Sequence, residues 1–256
     1  MTLLIDAGNS AVKWAALVDG GTFVATGRQL HRDGADIESS LSAAWRSLER
    51  PARAVGCSVA GRDVMAAIER AVRSIGLDGV DWLRSQRDFR GPFTLINGYR
   101  DPAQLGPDRW HAVLGACARL PGASFVVASA GTATTVDCVR AAPGIARFVG
   151  GCIAPGFRLM LESLSRGTAG LPLADGEAAD FPDTTDRAIV TGVLDAQAGL
   201  VERVFRRFAA ALGAPPRLLL AGGHADTLAA RLPVELAPII EHNLVLRGLA
   251  LRDSHP

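Results

Sequence analysis

Apolar and polar positions alternate along this chain in a way that predicts its elements in order. Leu3, Leu4 and Ile5 form a short apolar run, Asp6-Ala7-Gly8-Asn9-Ser10 interrupts it, and apolar positions resume from Val12 to Val18. This predicts a strand, a tight turn and a second strand. A third strand near Thr22 to Gln29, after Asp19-Gly20-Gly21, completes an antiparallel meander. Ile37, Leu41, Ala44, Trp45 and Leu48 then recur at helical spacing, which predicts a helix over Ile37 to Leu48. Val55 to Val59 reads as a short buried strand, and Val64, Ile68, Val72 and Ile75 mark one face of a helix ended by Gly76.

Between Phe89 and Pro107 periodicity gives way to turn chemistry: Gly91-Pro92, Asn97-Gly98, Asp101-Pro102 and Gly106-Pro107. Tyr99, the chain's single tyrosine, sits in this loop-rich stretch. Asp108-Arg109 opens a helix striped by Trp110, Val113, Leu114 and Cys117, finishing at Leu120-Pro121-Gly122. Further on, Phe148-Val149 reads as a strand leading to Gly150-Gly151 and Pro155-Gly156, followed by a helix from Phe157 to Arg166. Thr184 or Thr185 caps a long helix reaching Phe208. Leu218 to Leu220 is a buried strand running into Ala221-Gly222-Gly223-His224, and a final helix, Leu244 to Arg252, packs back to close the structure.

One pattern occurs twice. From Phe125 the chain reads FVVASAGTATTVDCV, an apolar strand, a Gly-centred turn rich in hydroxyls and another strand ending near Val139. Laid on the first copy, Gly131 falls on Gly8, Thr132 on Asn9 and Ser129 on Asp6. Strands first, then alternating helix and strand, suit a mixed sheet flanked by helices, as in a ribonuclease H-like half. The repeat implies an α/β chain of two such halves, residues 1–122 and 123–256, each presenting a phosphate-cradling turn to a ligand held between them. That is the arrangement of the actin, sugar-kinase and Hsp70-type fold.

Composition narrows the partners. With 256 residues, 48% of them hydrophobic, the chain buries substantial cores, and its formal net charge of +1 gives no global pull toward nucleic acid or a membrane surface. Cys57, Cys117, Cys138 and Cys152 lie in apolar segments without metal-ligand spacing, as expected of reduced core residues in a cytoplasmic protein. The expectation is a cytoplasmic protein with no leader and no spanning helix.

The first turn gathers a carboxylate, an amide and a hydroxyl. Gly8 lets the main chain approach a ligand and offers N–H donors, and Asp6 at a strand end suits a hard cation, directly or through water. An ordinary hairpin in which Asp6 and Asn9 satisfy their own turn is the competing account. Asp108 is equally open: a capping carboxylate at a helix start, or the acceptor of a proton from an attacking hydroxyl, with Arg109 gripping an anion. His111, one helical turn further on, receives no role, a lone histidine being more often structural.

Taken together, DAGNSxxK at Asp6 to Lys13, YRDPxxLGPDRW at Tyr99 to Trp110, GTATTVD at Gly131 to Asp137, GGCIAPG at Gly150 to Gly156, TAGLP at Thr168 to Pro172 and TTDRAIVTG at Thr184 to Gly192 resemble the type III pantothenate kinase family. The resemblance implies ATP-dependent phosphorylation of the pantothenate hydroxyl, the first step of coenzyme A synthesis. It places Asp6, Gly8, Asn9, Ser10, Lys13, Gly131 and Thr132 at ATP and its magnesium ion. Tyr99, Gly106, Asp108, Arg109 and Thr185 fall at the substrate, with Asp108 as general base. Ser10 stands where the family usually has threonine. Ser129 stands where it usually has an aspartate that helps bind an activating potassium or ammonium ion, so weaker dependence on that ion is expected. A homodimer is also implied. The alternatives are another small-molecule kinase on the same scaffold and a non-catalytic or dual-role regulatory accessory factor of the same family.

Overall fold

A computed structural model describes residues 1–18, 20–31 and 36–255. Asp19, which the meander reading sets ahead of the third strand, lies outside the described residues. The chain divides into two compact units, residues 1–121 with 244–256, and residues 122–243.

The first unit opens with β1 (Thr2–Ala7), β2 (Ala11–Val18) and β3 (Thr22–Leu30), followed by α1 (Ile37–Arg46), β4 (Arg53–Ser58), α2 (Arg62–Ser74) and β5 (Val80–Trp82). The sheet order is β3-β2-β1-β4-β5. β1, β2 and β3 pair antiparallel, while β4 and β5 join parallel to β1 and β4. A strand buried on both faces needs apolar residues at every position, which is why β1 reads as a run rather than an alternation. Leu3, Ile5 and Ala7 pack beneath Ile37, Leu41 and Trp45 of α1 and Ile68 and Val72 of α2. Leu4 faces the opposite way, toward Val55 and Cys57. The two-residue strand repeat therefore puts Asp6 on the Leu4 face.

The segment read as loop from Phe89 to Pro107 is more ordered than its turn residues suggest. It contains β6 (Asp88–Arg90) and β7 (Thr94–Asn97), paired as an antiparallel hairpin, and a 3-10 turn at Pro102–Gln104. Strands of three and four residues are too short for a period of two to stand out. α3 (Pro107–Arg119) follows, with proline in its first turn and Gly106 as N-cap.

The second unit repeats the plan. β8 (Phe125–Ala130), β9 (Ala133–Ala142) and β10 (Ile145–Pro155) lead to α4 (Phe157–Gly167), α5 (Thr185–Leu212), β11 (Arg217–Ala221), α6 (Ala225–Ala229) and β12 (Ile239–Ile240). Within this unit the order is β12-β11-β8-β9-β10, the first unit's order with each strand in its equivalent place. Gly150-Gly151 lies inside β10 rather than ending a strand, and a bulge falls between Phe148 and Gly150. α5 packs Val201, Phe205 and Phe208 on Val126, Ala128 and Val136 of the sheet.

α7 (Leu244–Ser254) is the last element, and it belongs to the first unit. Residues 244–256, which the sequence reading assigns to the second half, place Leu246 and Leu249 against Leu4, Ala15, Leu17 and Val55. Hydrophobic periodicity marks a buried helix face but carries no information about which sheet buries it.

Candidate active site

The first turn joins β1 to β2 through residues 8–11, with Ala7 paired to Val12. The Gly8 N–H donates to the Ala11 carbonyl at 3.0 Å, so this amide closes the turn instead of standing exposed as a ligand donor. Asn9 is exposed at the tip, while Ser10 and Lys13 are partly buried. Asp6 is directly opposite Lys13 on β2 and beside Cys57 on β4. The residue is only 8% exposed. Burial pushes its pKa up to about 6; Lys13 pulls it down and the negative charge of Asp108 pushes it further up. Such a carboxylate is short of compensating charge, and that suits a bound cation.

Asp108 and Arg109 occupy the first turn of α3. The Arg109 N–H donates to Asp108 Oδ1 at 2.9 Å, so the carboxylate folds back onto the start of its own helix. A Cβ at position 106 would stand 2.6 Å from that oxygen, which makes Gly106 the space the carboxylate occupies. Burial raises the Asp108 pKa above the ordinary carboxylate range, against the lowering effect of the Arg109 N–H and guanidinium. Arg109 is itself buried, and its Nη1 donates to Tyr99 Oη at 2.9 Å. The guanidinium carbon also lies 5.7 Å from the centre of the Tyr99 ring. Tyr99 is aimed by Asn97, whose Oδ1 accepts from the Tyr99 N–H and whose Nδ2 donates to the Gln86 and Pro102 carbonyls. The first unit thus brings together Asp6, Lys13, Asp108 and Arg109 as interacting charges, with Tyr99 bonded to Arg109.

In the second unit Gly131 again closes the turn with its N–H, here on the Ala133 carbonyl at 3.1 Å. Ala130 pairs with Thr134, so the loop is one residue shorter than the first. Thr132 is partly buried, and its carbonyl accepts from the Gly156 N–H at 3.0 Å. Ser129 sits opposite Thr135, where the first copy sets Asp6 opposite Lys13. A position with charges facing across the strands has become a pair of hydroxyls. Thr184 is the N-cap of α5, its Oγ1 accepting from the Arg187 N–H, and Thr185 is exposed in the helix's first turn.

Two residues that sequence reasoning passes over belong to this description. His31 Nε2 donates to the Gly8 carbonyl at 2.8 Å, and its backbone N–H donates to the Ser10 carbonyl, so the residue just after β3 clasps the first turn. Cys57 shares its face with Asp6, and burial followed by the two carboxylates pushes its thiol well above its ordinary range. All four cysteines are free; Cys152 alone is partly exposed, with Arg207 Nη2 at 3.8 Å from its sulfur. Only the parallel register of β1 and β4 could have linked Cys57 to the site, and that register is not written in either segment.

A sequence model of the type III pantothenate kinase family matches residues 2–207. The type III pantothenate kinase of Burkholderia multivorans is 44% identical over 264 residues, covering 97% of this chain and 95% of that one. That of Aromatoleum aromaticum is 43% identical over 251 residues, covering 98% and 97%. Among solved structures, the activator of the 2-hydroxyisocaproyl-CoA dehydratase from Clostridium difficile, with bound ADPNP, aligns at a TM-score of 0.55 and 12% identity over 98% of this chain and 93% of that one. Component A of the Acidaminococcus fermentans (R)-2-hydroxyglutaryl-CoA dehydratase aligns at 0.51 and 17% identity, covering 98% and 96%. With the repeated sheet order, these likenesses give the fold as two ribonuclease H-like halves of the actin, sugar-kinase and Hsp70 type. The match along most of its length and the identity to named kinases mean that the chain belongs to the type III pantothenate kinase family.

Proposed function

We propose that this protein transfers the terminal phosphoryl group of ATP to the primary hydroxyl of pantothenate, the first step of coenzyme A synthesis, with Asp108 as the general base. The observation that carries the reading is the partly buried Asp108 carboxylate, held at the start of α3 beside Arg109 and raised above the usual carboxylate range. A base poised nearer neutrality takes the hydroxyl proton as the alcohol attacks, and Arg109 with Tyr99 offers a cation and a hydroxyl to the pantothenate carboxylate. Phosphoryl transfer asks little covalent chemistry of the protein, so positioning and charge neutralisation supply most of the rate. Lys13, Asn9 and Ser10 on the first turn and Thr132 on the second are the phosphate contacts in this reading, with Thr185 at the substrate. The Gly8 and Gly131 amides hold the turns closed.

Asp6, buried and short of compensating charge, fits a magnesium ion held directly or through water. Bound there with the nucleotide, that ion would neutralise phosphate charge. Ser129 supplies a neutral oxygen where a cation-binding carboxylate is expected, so the dependence on potassium or ammonium is weak. The enzyme is read as a cytoplasmic homodimer acting on small molecules. Identities of 43–44% to proteins named as kinases favour this reading over that of a regulatory accessory factor.

ADP release by the purified protein with magnesium and ATP, with and without pantothenate, tests the proposal. Turnover should require pantothenate and fall by about two orders of magnitude or more in Asp108→Asn. Turnover surviving in the variant removes Asp108 as base, and a folded wild-type protein indifferent to pantothenate removes the acceptor.

A further inference from the structure

α3 carries Asp108 and Arg109 but has no side chain capping its start: its N-cap is Gly106, and no cap hydrogen bond is made there. Apart from the Asp108 carboxylate bonded to the Arg109 N–H, a buried ring from the next turn holds the first turn. His111, fully buried, directs its Nδ1–H to the Pro107 carbonyl at 2.7 Å. A carbonyl only accepts, so the proton is on Nδ1. That carbonyl belongs to the peptide leading into Asp108, so the imidazole braces the plane from which the carboxylate hangs. Its Nε2 is buried without a hydrogen-bond partner among the described residues, a polar atom left unsatisfied while the ring is kept where Nδ1 reaches Pro107.

The backbone of α3 at His111 is held by α7. A Cβ on Gly248 would fall 1.9 Å from the His111 carbonyl oxygen, and one on Gly115 would fall 2.2 Å from the Leu244 carbonyl oxygen. His111 and Gly115 are one turn apart on α3, as are Leu244 and Gly248 on α7, so the helices touch backbone to backbone at two matched points. α7 is in turn fastened to the sheet that carries Asp6. Leu246 and Leu249 pack on Leu4 and Val55, and Asp253 bonds Arg53 and accepts from Thr2 Oγ1.

Resting on the reading of Asp108 as base, we propose that His111 and Gly248 are positioning residues: α7 is the spacer that sets α3, and with it Asp108, relative to Asp6, and the His111 imidazole is the strut that transmits this to the Asp108 turn. Neither residue touches substrate.

The test compares the full-length wild type with His111→Leu, His111→Asn and Gly248→Ala. Asparagine keeps an N–H donor near the place of Nδ1; leucine removes it. Pantothenate-dependent ADP release is measured for kcat and for the KM of ATP, together with hydrogen exchange over residues 106–112. His111→Leu should lower kcat about 10- to 100-fold with the KM of ATP within about twofold, and exchange in the first turn of α3 should quicken about tenfold. His111→Asn should recover most of both, and Gly248→Ala should lower kcat in the same pattern. Unchanged kcat and protection in His111→Leu overturn the proposal. So does an asparagine variant as poor as the leucine one, or a loss appearing chiefly in the KM of ATP. If Gly248→Ala does not fold, the two His111 variants still decide. A wild type without pantothenate-dependent turnover removes the functional reading alone, and the exchange comparison then decides whether the strut exists.

Discussion

Asp6 and His111 are buried titratable groups with opposite consequences for stability. Burial raises Asp6 to about 6, so its contribution to folding is fully present below pH 3.8 and is lost as pH rises through about 6. Burial lowers His111 to about 4, with the charge of Arg252 adding to the effect, so its contribution is present above pH 6.5 and is lost as pH falls through about 4. Each is worth about 3 kcal/mol over its range. The two slopes oppose each other between about pH 4 and 6, so by urea unfolding the metal-free protein should change little in stability there, with Asp108 tilting the profile toward greater stability at lower pH. Asp6→Asn should lose stability steadily on acidification across that window, and His111→Asn should gain it. Parallel profiles in the two variants would show that the burial of these groups does not govern the pH response. Asp108, also raised, acts in the same direction as Asp6. The same elevation means that activity on the acid side should fall at a pH above the ordinary carboxylate range.

At the scale of elements, most helices and long strands were legible, because their apolar residues recur at 3.6 or run unbroken for a strand's length. Thr184 and Asp108 mark helix starts in the sequence and stand at helix starts in the structure, α3 opening one residue earlier, at Pro107, which reads as the end of a loop. What was not legible were β5, β6, β7 and β12, each of four residues or fewer, whose formation depends on the neighbour that pairs with them. α7 teaches the same lesson about partners. Its Leu249 is fully buried against the face of the sheet that carries Cys57. Leu249→Ala should cost about 2–5 kcal/mol and open that face. In a thiol-reagent assay below the unfolding midpoint, Cys57 should then react faster than in the wild type. A stability loss below about 1 kcal/mol, or an unreactive Cys57, would show that α7 does not cover the sheet in this way.

For the whole molecule, the repeated sheet order makes the differences between copies informative. Gly131 stands where Gly8 does and Ser129 where Asp6 does, as the alignment of the two segments requires. The copies diverge in loop length by one residue and in charge, since Asp6 faces Lys13 whereas Ser129 faces Thr135. The second turn carries no carboxylate at the strand end. Potassium or ammonium should therefore change kcat by less than about threefold, and Ser129→Asp should produce a steeper response. Steep activation of the wild type would place the cation's ligands elsewhere.

Apolar periodicity, the two turns and the ordered motifs were sufficient by themselves to give the helices and longer strands, the duplication and the family, because those features depend on residues close in the chain. Tertiary structure alone decided that Gly8 and Gly131 spend their amides on the turns, that Cys57 and His31 stand at the first turn, and that α7 returns to the first unit to brace α3 through Gly248 and His111. Each of these rests on strand register or on a contact between residues distant in sequence. Local pattern specifies which face of an element is apolar, and packing specifies what that face meets.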